Sequence, residues 1–229
     1  MEKFISNDIV NLKNTFFKVF CDSVDALKNQ ERVVVGLSWW NSIKSFYEIL
    51  KQGFKDLDVE VRSKVYFCLL DERVVDVDDD ASNYKMLKSA FLDELVSEGS
   101  IDVNNILLPD FSRANPEKHY SELVGRVDIW LVWVWEDGHI WSLFPRHKLL
   151  NEDTYGYLHI FDSPKPPSER ITVSKEVFRN LGSTFVFFMW EAKRDAMNMF
   201  FDSSVWFNDC PVKMLLDSKD VRVFSDLAE

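Results

Sequence analysis

Hydrophobic residues recur along this chain in two alternating patterns, one typical of helices and one typical of buried strands. Between residues 9 and 27 they fall every three or four positions, which predicts an amphipathic helix. The run 32–37, rich in β-branched residues, then predicts a strand buried on both faces. Further strands are predicted at 64–70, 105–108, 127–135, 157–161, 170–173, 184–189 and 221–224, and further helices at 43–51, after Ser82, at 116–124, after Ser174 and at 191–201.

Strands that alternate with helices favour a mainly parallel sheet covered by helices on both faces. The chain has 229 residues and contains no linker, repeat or low-complexity tract, so we expect residues 1–229 to form a single Rossmann-like α/β domain. Ligands of such sheets bind beyond the carboxyl ends of the strands. We therefore expect the turns after Leu37, Leu70, Trp135 and Met189 to face one crevice.

Composition narrows the classes of partner. A net charge of -11 argues against nucleic acid, which is bound mainly through basic surfaces, but leaves room for a small anion held by a few local cations. No stretch approaches the roughly 20 apolar residues that span a bilayer. The first ten residues lack the apolar run of a signal peptide, and the three cysteines are far apart in the chain. We therefore expect a cytoplasmic protein with reduced thiols and no membrane partner.

Two of the predicted turns carry residues suited to chemistry. Asp137-Gly138-His139 follows an apolar strand, and an imidazole beside a carboxylate is a plausible general base. The alternative is a hydrogen-bonded core histidine. No cysteine or second histidine stands at ligand spacing, so a metal site is not expected. Lys193 falls in the first turn of a helix, where a cation opposes the helix dipole unless it meets an anion.

Two further turns could bind an anion. Arg73 ends the run Asp71-Glu72-Arg73. Its guanidinium could make a bidentate contact with a phosphate, or it could form a structural ion pair with its acidic neighbours. The loop Ser38–Ser42 joins a strand to a helix, a junction whose backbone N–H groups suit phosphate. Ser38, Asn41 and Ser42 could contribute to such a site, or could simply cap the helix.

Several motifs, taken in order, resemble the 6-phosphogluconolactonases, which share a fold with glucosamine-6-phosphate deaminase and ribose-5-phosphate isomerase. The resemblance covers essentially the whole chain. It is carried by Asp71-Glu72-Arg73-Val74 with Ser82-Asn83-Tyr84, by Glu136-Asp137-Gly138-His139 with Ser142-Leu143-Phe144-Pro145, and by Asp162-Ser163-Pro164-Lys165-Pro166-Pro167 with Arg170-Ile171-Thr172.

The resemblance implies a reaction and roles for particular residues. The reaction is hydrolysis of 6-phosphogluconolactone to 6-phosphogluconate in the pentose phosphate pathway, without a metal or an organic cofactor. His139 would activate water, and Asp137 would orient it. Arg73 and Lys193 would hold the substrate phosphate. The loop containing Ser38, Asn41 and Ser42 would assist them.

The chain departs from the family pattern at positions where the family has small residues. Six of its eight tryptophans stand there: Trp39, Trp40, Trp133, Trp135, Trp141 and Trp190. We expect them to fill the site and severely reduce activity, and those with left-handed backbone to cost about 1 kcal/mol or more each. Two alternatives stay open. One is a non-catalytic sugar- or protein-binding protein, and the other is a sugar-phosphate deaminase or isomerase, which the absence of a glutamate shortly after His139 disfavours.

Overall fold

The computed structural model describes residues 1–39, 44–180 and 182–227, together with the side chains of all these residues except 178–180. Trp40, Asn41 and Ser42 therefore lie outside the described residues. The helices are α1 (Ile9–Asp25), α2 (Lys44–Phe54), α3 (Val59–Arg62), α4 (Asn83–Leu87), α5 (Asp93–Ser97), α6 (Pro116–Val124) and α7 (Arg194–Phe201). A π-helical turn, Lys88–Leu92, links α4 to α5, and 3₁₀ turns lie at Val103–Asn105, Lys148–Asn151, Lys175–Asn180, Glu191–Lys193 and Pro211–Asp217.

The main sheet contains seven strands, and every neighbouring pair is parallel. The strands are β1 (Glu2–Ile5), β2 (Val33–Leu37), β3 (Val65–Leu69), β5 (Ile106–Leu107), β6 (Ile129–Trp133), β9 (Ser183–Phe188) and β10 (Asp220–Ser225). Their order across the sheet is β1-β10-β9-β6-β2-β3-β5. The central strands β2 and β6 are buried at every residue, which explains why their sequences are continuously apolar rather than alternating.

Helices cover both faces of this sheet. Phe16 of α1 and Phe46 of α2 pack against Phe187 of β9, whereas Phe200 of α7 packs against Phe188, the next residue along the same strand. Successive side chains of a strand point to opposite faces, so these helices lie on opposite sides. The predicted α/β architecture is confirmed. Among the described residues, no helix is long and apolar enough to cross a membrane.

A second, antiparallel sheet was not predicted. It consists of β4 (Asp71–Arg73), β8 (Arg170–Val173) and β7 (Tyr157–Ile160), in the order β4-β8-β7. The expectation that Asp71–Arg73 forms a turn is therefore wrong, because its backbone pairs with β8. The predicted helix after Ser174 is a 3₁₀ turn. In contrast, Ser82 caps α4 as predicted, accepting a hydrogen bond from the backbone N–H of Lys85 at 3.1 Å.

Candidate active site

The turn after β6 is built around Gly138. The backbone N–H of Gly138 donates to the Trp135 carbonyl, and that of Trp135 donates to the His139 carbonyl, both at 3.0 Å. Gly138 has φ +76°, and a Cβ there would lie 2.6 Å from the Cys210 sulfur. Only glycine meets both conditions without strain. The tight turn that results presents Asp137 and His139 from the carboxyl end of a central strand.

Asp137 and His139 form a close pair. The His139 Nδ1 lies 2.5 Å from the Asp137 Oδ1, and the His139 side chain is buried while that of Asp137 is half exposed. Although partial burial opposes the effect, the hydrogen bond and charge of His139 lower the pKa of Asp137 to about 2. Burial lowers the pKa of His139, and Asp137 only partly offsets this. With Nδ1–H assigned as the donor to Asp137, the neutral imidazole keeps its Nε2 lone pair to accept a proton.

Two aromatic rings flank the His139 imidazole. The ring of Trp135 is nearly parallel to it, at a centroid distance of 4.7 Å and an angle of 17°. The ring of Phe144 lies at 4.4 Å and 34°. These contacts exclude water and explain why His139 is only 1% exposed. The imidazole is therefore fixed in plane by its neighbours and in rotation by Asp137.

Two lysines approach the Trp135 ring. The Lys193 Nζ is 5.6 Å and the Lys165 Nζ is 3.8 Å from the ring centroid. Lys193 ends the 3₁₀ turn that precedes α7, is 5% exposed, and lies 3.5 Å from a carboxylate oxygen of Glu136. Burial lowers the pKa of both lysines. The structure thus brings two cations, Lys165 and Lys193, to the His139 group. The sequence alone assigned no role to Lys165.

Arg170 ties the segment that bears Lys165 to the segment that bears His139. Its guanidinium donates to the backbone carbonyls of Lys165, Pro166 and Pro167 at 2.8 to 3.3 Å, and to the Ser142 hydroxyl at 3.2 Å. The Ser142 hydroxyl in turn donates to the Asp71 carboxylate at 2.8 Å. All three side chains are buried. Three of the motifs that carry the family resemblance therefore meet in one hydrogen-bonded network.

Arg73 does not join Lys193 in the geometry of the described residues. Its guanidinium donates to the Ala81 carbonyl at 2.6 Å and lines a cavity of about 190 Å³ with Tyr84, Leu108 and other residues, none of which belongs to the His139 group. Neighbouring Glu72 is also structural, since its carboxylate accepts the backbone N–H groups of Asn83 and Tyr84 at the start of α4. A shared phosphate clamp of Arg73 and Lys193 stays a prediction.

The tryptophans at the family's small-residue positions lie in several environments. Trp133 and Trp141 are buried in the core, the first stacked on Phe187 at 3.9 Å and the second 5.7 Å from Trp130. Trp39 stacks on Tyr47 at 5.9 Å. Trp190 is 38% exposed, so it does not fill a buried volume. Of the described tryptophans in this set, Trp135 is the one that covers His139.

Left-handed backbone occurs at two of these tryptophans. Trp141 has φ +54° and Trp190 has φ +70°, whereas Trp39, Trp133 and Trp135 have ordinary negative φ values. The expected backbone strain is therefore confined to Trp141 and Trp190 among the described members of the set. At both positions glycine would adopt the same conformation without a steric penalty.

Ser38 lies where predicted, directly after β2, but its hydroxyl is already engaged. It is buried and donates to the Leu131 carbonyl at 3.4 Å, while its own carbonyl accepts the Tyr47 hydroxyl at 2.6 Å. Asn41 and Ser42 lie outside the described residues. Within residues 1–39, 44–180 and 182–227, no group of three His, Cys, Asp or Glu side chains could hold a metal ion.

Comparison with known proteins decides the family. Residues 12–224 match the family model described as glucosamine-6-phosphate isomerases/6-phosphogluconolactonase. The chain belongs to this family. A 6-phosphogluconolactonase of Borreliella burgdorferi is 31% identical over 99% of this chain and 96% of its own length. Another, from Saccharomyces cerevisiae strain S288c, is 33% identical over 78% of this chain and 75% of its own length.

Solved structures of the family share the fold. A putative 6-phosphogluconolactonase from Neisseria gonorrhoeae superposes over 100% of both chains with a TM-score of 0.81 and 18% identity. The 6-phosphogluconolactonase of Trypanosoma brucei has a TM-score of 0.80 and 18% identity, over 98% of this chain and 95% of its own. A monomeric glucosamine-6-phosphate deaminase has a TM-score of 0.79 and 16% identity, over 98% and 97% respectively. At these identities the likeness shows the fold alone.

Proposed function

We propose that this chain is a 6-phosphogluconolactonase that hydrolyses 6-phosphogluconolactone to 6-phosphogluconate. The observation that carries the proposal is the Asp137–His139 pair, 2.5 Å apart at the carboxyl end of a central strand, in a chain of this family. The family description also covers the isomerases. The relatives that match nearly the whole chain or most of it bear the lactonase name, which supports hydrolysis.

In this mechanism His139 is the general base. Its Nε2 takes a proton from a water molecule, whose oxygen attacks the lactone carbonyl carbon. Asp137 holds the Nδ1–H tautomer and stabilises the imidazolium that forms. Lys193 attracts the substrate phosphate, with the loop that begins at Ser38. The buried imidazole has a lowered pKa and is therefore unprotonated at neutral pH, as a base must be.

We further propose that Trp135 severely reduces the rate. Its indole stacks on the imidazole at 4.7 Å, in the space beside the base. Of the six tryptophans expected to obstruct the site, Trp135 is the described side chain that covers His139. Trp133 and Trp141 belong to the core, Trp190 is exposed, and Trp39 stacks on Tyr47. Replacing Trp135 with glycine would open that face of His139.

Lactone hydrolysis by three variants tests the proposal. We expect slow turnover by the unaltered chain, a loss of about 10²-fold or more in His139→Ala, and faster turnover in Trp135→Gly. His159→Ala is the matched control, because His159 pairs with Glu169 on the antiparallel sheet and should leave the rate unchanged. Equal rates in the unaltered chain and His139→Ala would contradict the role of His139. Ammonia release from glucosamine 6-phosphate would instead indicate the deaminase alternative.

A further inference from the structure

Lys165 brings a second ammonium group to the His139 site from the loop between β7 and β8. Its Nζ lies 3.8 Å from the centroid of the Trp135 ring and 5.9 Å from that of Phe144. These are the two rings that flank His139. The ammonium is therefore placed beside the group that holds the base.

The described residues offer no hydrogen-bond acceptor to the three N–H groups of this ammonium. Among the described residues, Lys165 Nζ has no hydrogen-bond acceptor and no carboxylate within 4.0 Å. Lys193, by comparison, has Glu136 at 3.5 Å. The face of the Trp135 ring stabilises this half-buried cation, and its N–H donors stay available to an anion that enters the site. The position of Lys165 thus indicates a place for negative charge beside His139.

The loop backbone holds Lys165 in this position. Its carbonyl accepts hydrogen bonds from Arg170 at 2.8 Å and from the Ser163 hydroxyl at 3.1 Å. Arg170 is buried and also donates to Ser142, on the segment that bears His139. The same network therefore fixes both the base and the lysine, which is the preorganisation that stabilising a transition-state charge requires.

We propose that Lys165 is a catalytic residue that stabilises the oxyanion formed on the lactone carbonyl. The inference rests on the proposed function. Water attacks the carbonyl carbon, its proton passes to His139 Nε2, and the carbonyl π electrons move to the oxygen that faces Lys165. The tetrahedral intermediate then collapses, the bond to the ring oxygen breaks, and His139 returns the proton to that oxygen. The resulting carboxylic acid ionises, and its carboxylate meets the same ammonium.

The position of Lys165 favours the carbonyl oxygen over the phosphate as its partner. Lys165 Nζ lies 3.8 Å from the Trp135 ring that stacks on His139, whereas Lys193 Nζ lies 5.6 Å from that ring. Lys165 is therefore the cation on the side of the base. Lys193, beside Glu136, is left for the phosphate at the other end of the substrate.

The test compares Lys165→Gln and Lys165→Arg with the unaltered chain. Lys148→Gln is the control, because Lys148 is exposed and pairs with Asp162. Hydrolysis is measured on 6-phosphogluconolactone and on unphosphorylated gluconolactone. Binding is measured by calorimetry for 6-phosphogluconate and for sorbitol 6-phosphate, which keeps the phosphate and lacks the carboxylate. The binding measurements decide the question even where turnover is slow.

We expect Lys165→Gln to lower kcat on both lactones by about 10² to 10³, with partial recovery in Lys165→Arg. Binding of 6-phosphogluconate should weaken about tenfold or more, and that of sorbitol 6-phosphate should not change. Equal weakening of both ligands, with gluconolactone hydrolysis unchanged, would assign Lys165 to the phosphate and overturn the proposal. So would wild-type behaviour of Lys165→Gln. An unaltered chain that binds neither ligand would instead contradict the proposed function.

Discussion

At the scale of single residues, the chemistry of His139 is set by four neighbours. Asp137 fixes its tautomer, Trp135 and Phe144 exclude water from its ring, and Lys165 adds positive charge nearby. Burial and positive charge both favour the neutral imidazole, whereas the carboxylate favours the charged one. Because burial has the largest effect, the pKa of His139 lies below its ordinary value of 6.5.

Removing the Asp137 carboxylate tests how burial and this carboxylate together set the pKa of His139. Asp137→Asn should lower the pKa of His139 further, because the hydrogen bond and charge of Asp137 raise it. The acidic limb of the pH–rate profile should therefore move to lower pH, and kcat should fall because the tautomer is no longer held. NMR titration of the His139 ring protons measures the pKa without turnover. A shift to higher pH would show that Asp137 does not stabilise the imidazolium.

Two strained tryptophans allow a matched pair of stability measurements. Trp190, at φ 70° and ψ 150°, occupies backbone space that is almost reserved for glycine, at a cost of about 1–3 kcal/mol. It is 38% exposed, so Trp190→Gly loses little packing and should raise the free energy of unfolding by about 1 kcal/mol. Trp141 is 3% exposed, so the cavity in Trp141→Gly should outweigh the relief and lower stability by about 2 kcal/mol or more. Urea unfolding compares them, and a less stable Trp190→Gly would contradict the strain argument.

At the scale of elements, the antiparallel sheet links the motif segments. β4 supplies Asp71, β8 supplies Arg170, and the loop between β7 and β8 supplies Lys165. Sequence patterns predicted β7 and β8 as strands but not their separation from the main sheet. They missed β4 because a three-residue strand that begins Asp-Glu has no apolar signal, and only pairing with β8 makes it a strand.

The hydrogen-bonded network of Arg170, Ser142 and Asp71 should contribute strongly to the free energy of unfolding. Arg170→Met removes the donor to three backbone carbonyls and to the Ser142 hydroxyl that binds the buried Asp71 carboxylate, so we expect a loss of about 3–5 kcal/mol. Arg113→Met is the matched control, because its exposed pair with Asp110 contributes about 0–1 kcal/mol. Chemical denaturation measures both. Similar small losses in the two variants would show that the buried network does not hold the loops in place.

At the scale of the whole molecule, parallel strands bring the separate turns together. β6 lies between β2 and β9, so the residues after Leu37, Trp133 and Phe188 emerge at the same end of the sheet. This much followed from strand–helix alternation, because parallel strands need crossover helices and share one carboxyl edge. The alternation of strands and helices alone therefore predicts that Asp137, His139 and Lys193 lie near one another.

The sequence by itself determined the α/β class, the buried central strands, the cap at Ser82 and the acid–histidine turn. Each of these depends on residues close together in the chain, where hydrophobic period and turn chemistry act directly. The tertiary structure alone decided that Arg73 donates to Ala81, that Lys165 lies over Trp135, and which described indoles are core, exposed or beside the base. These depend on side-chain direction and on contacts between segments far apart in sequence, which local patterns do not specify.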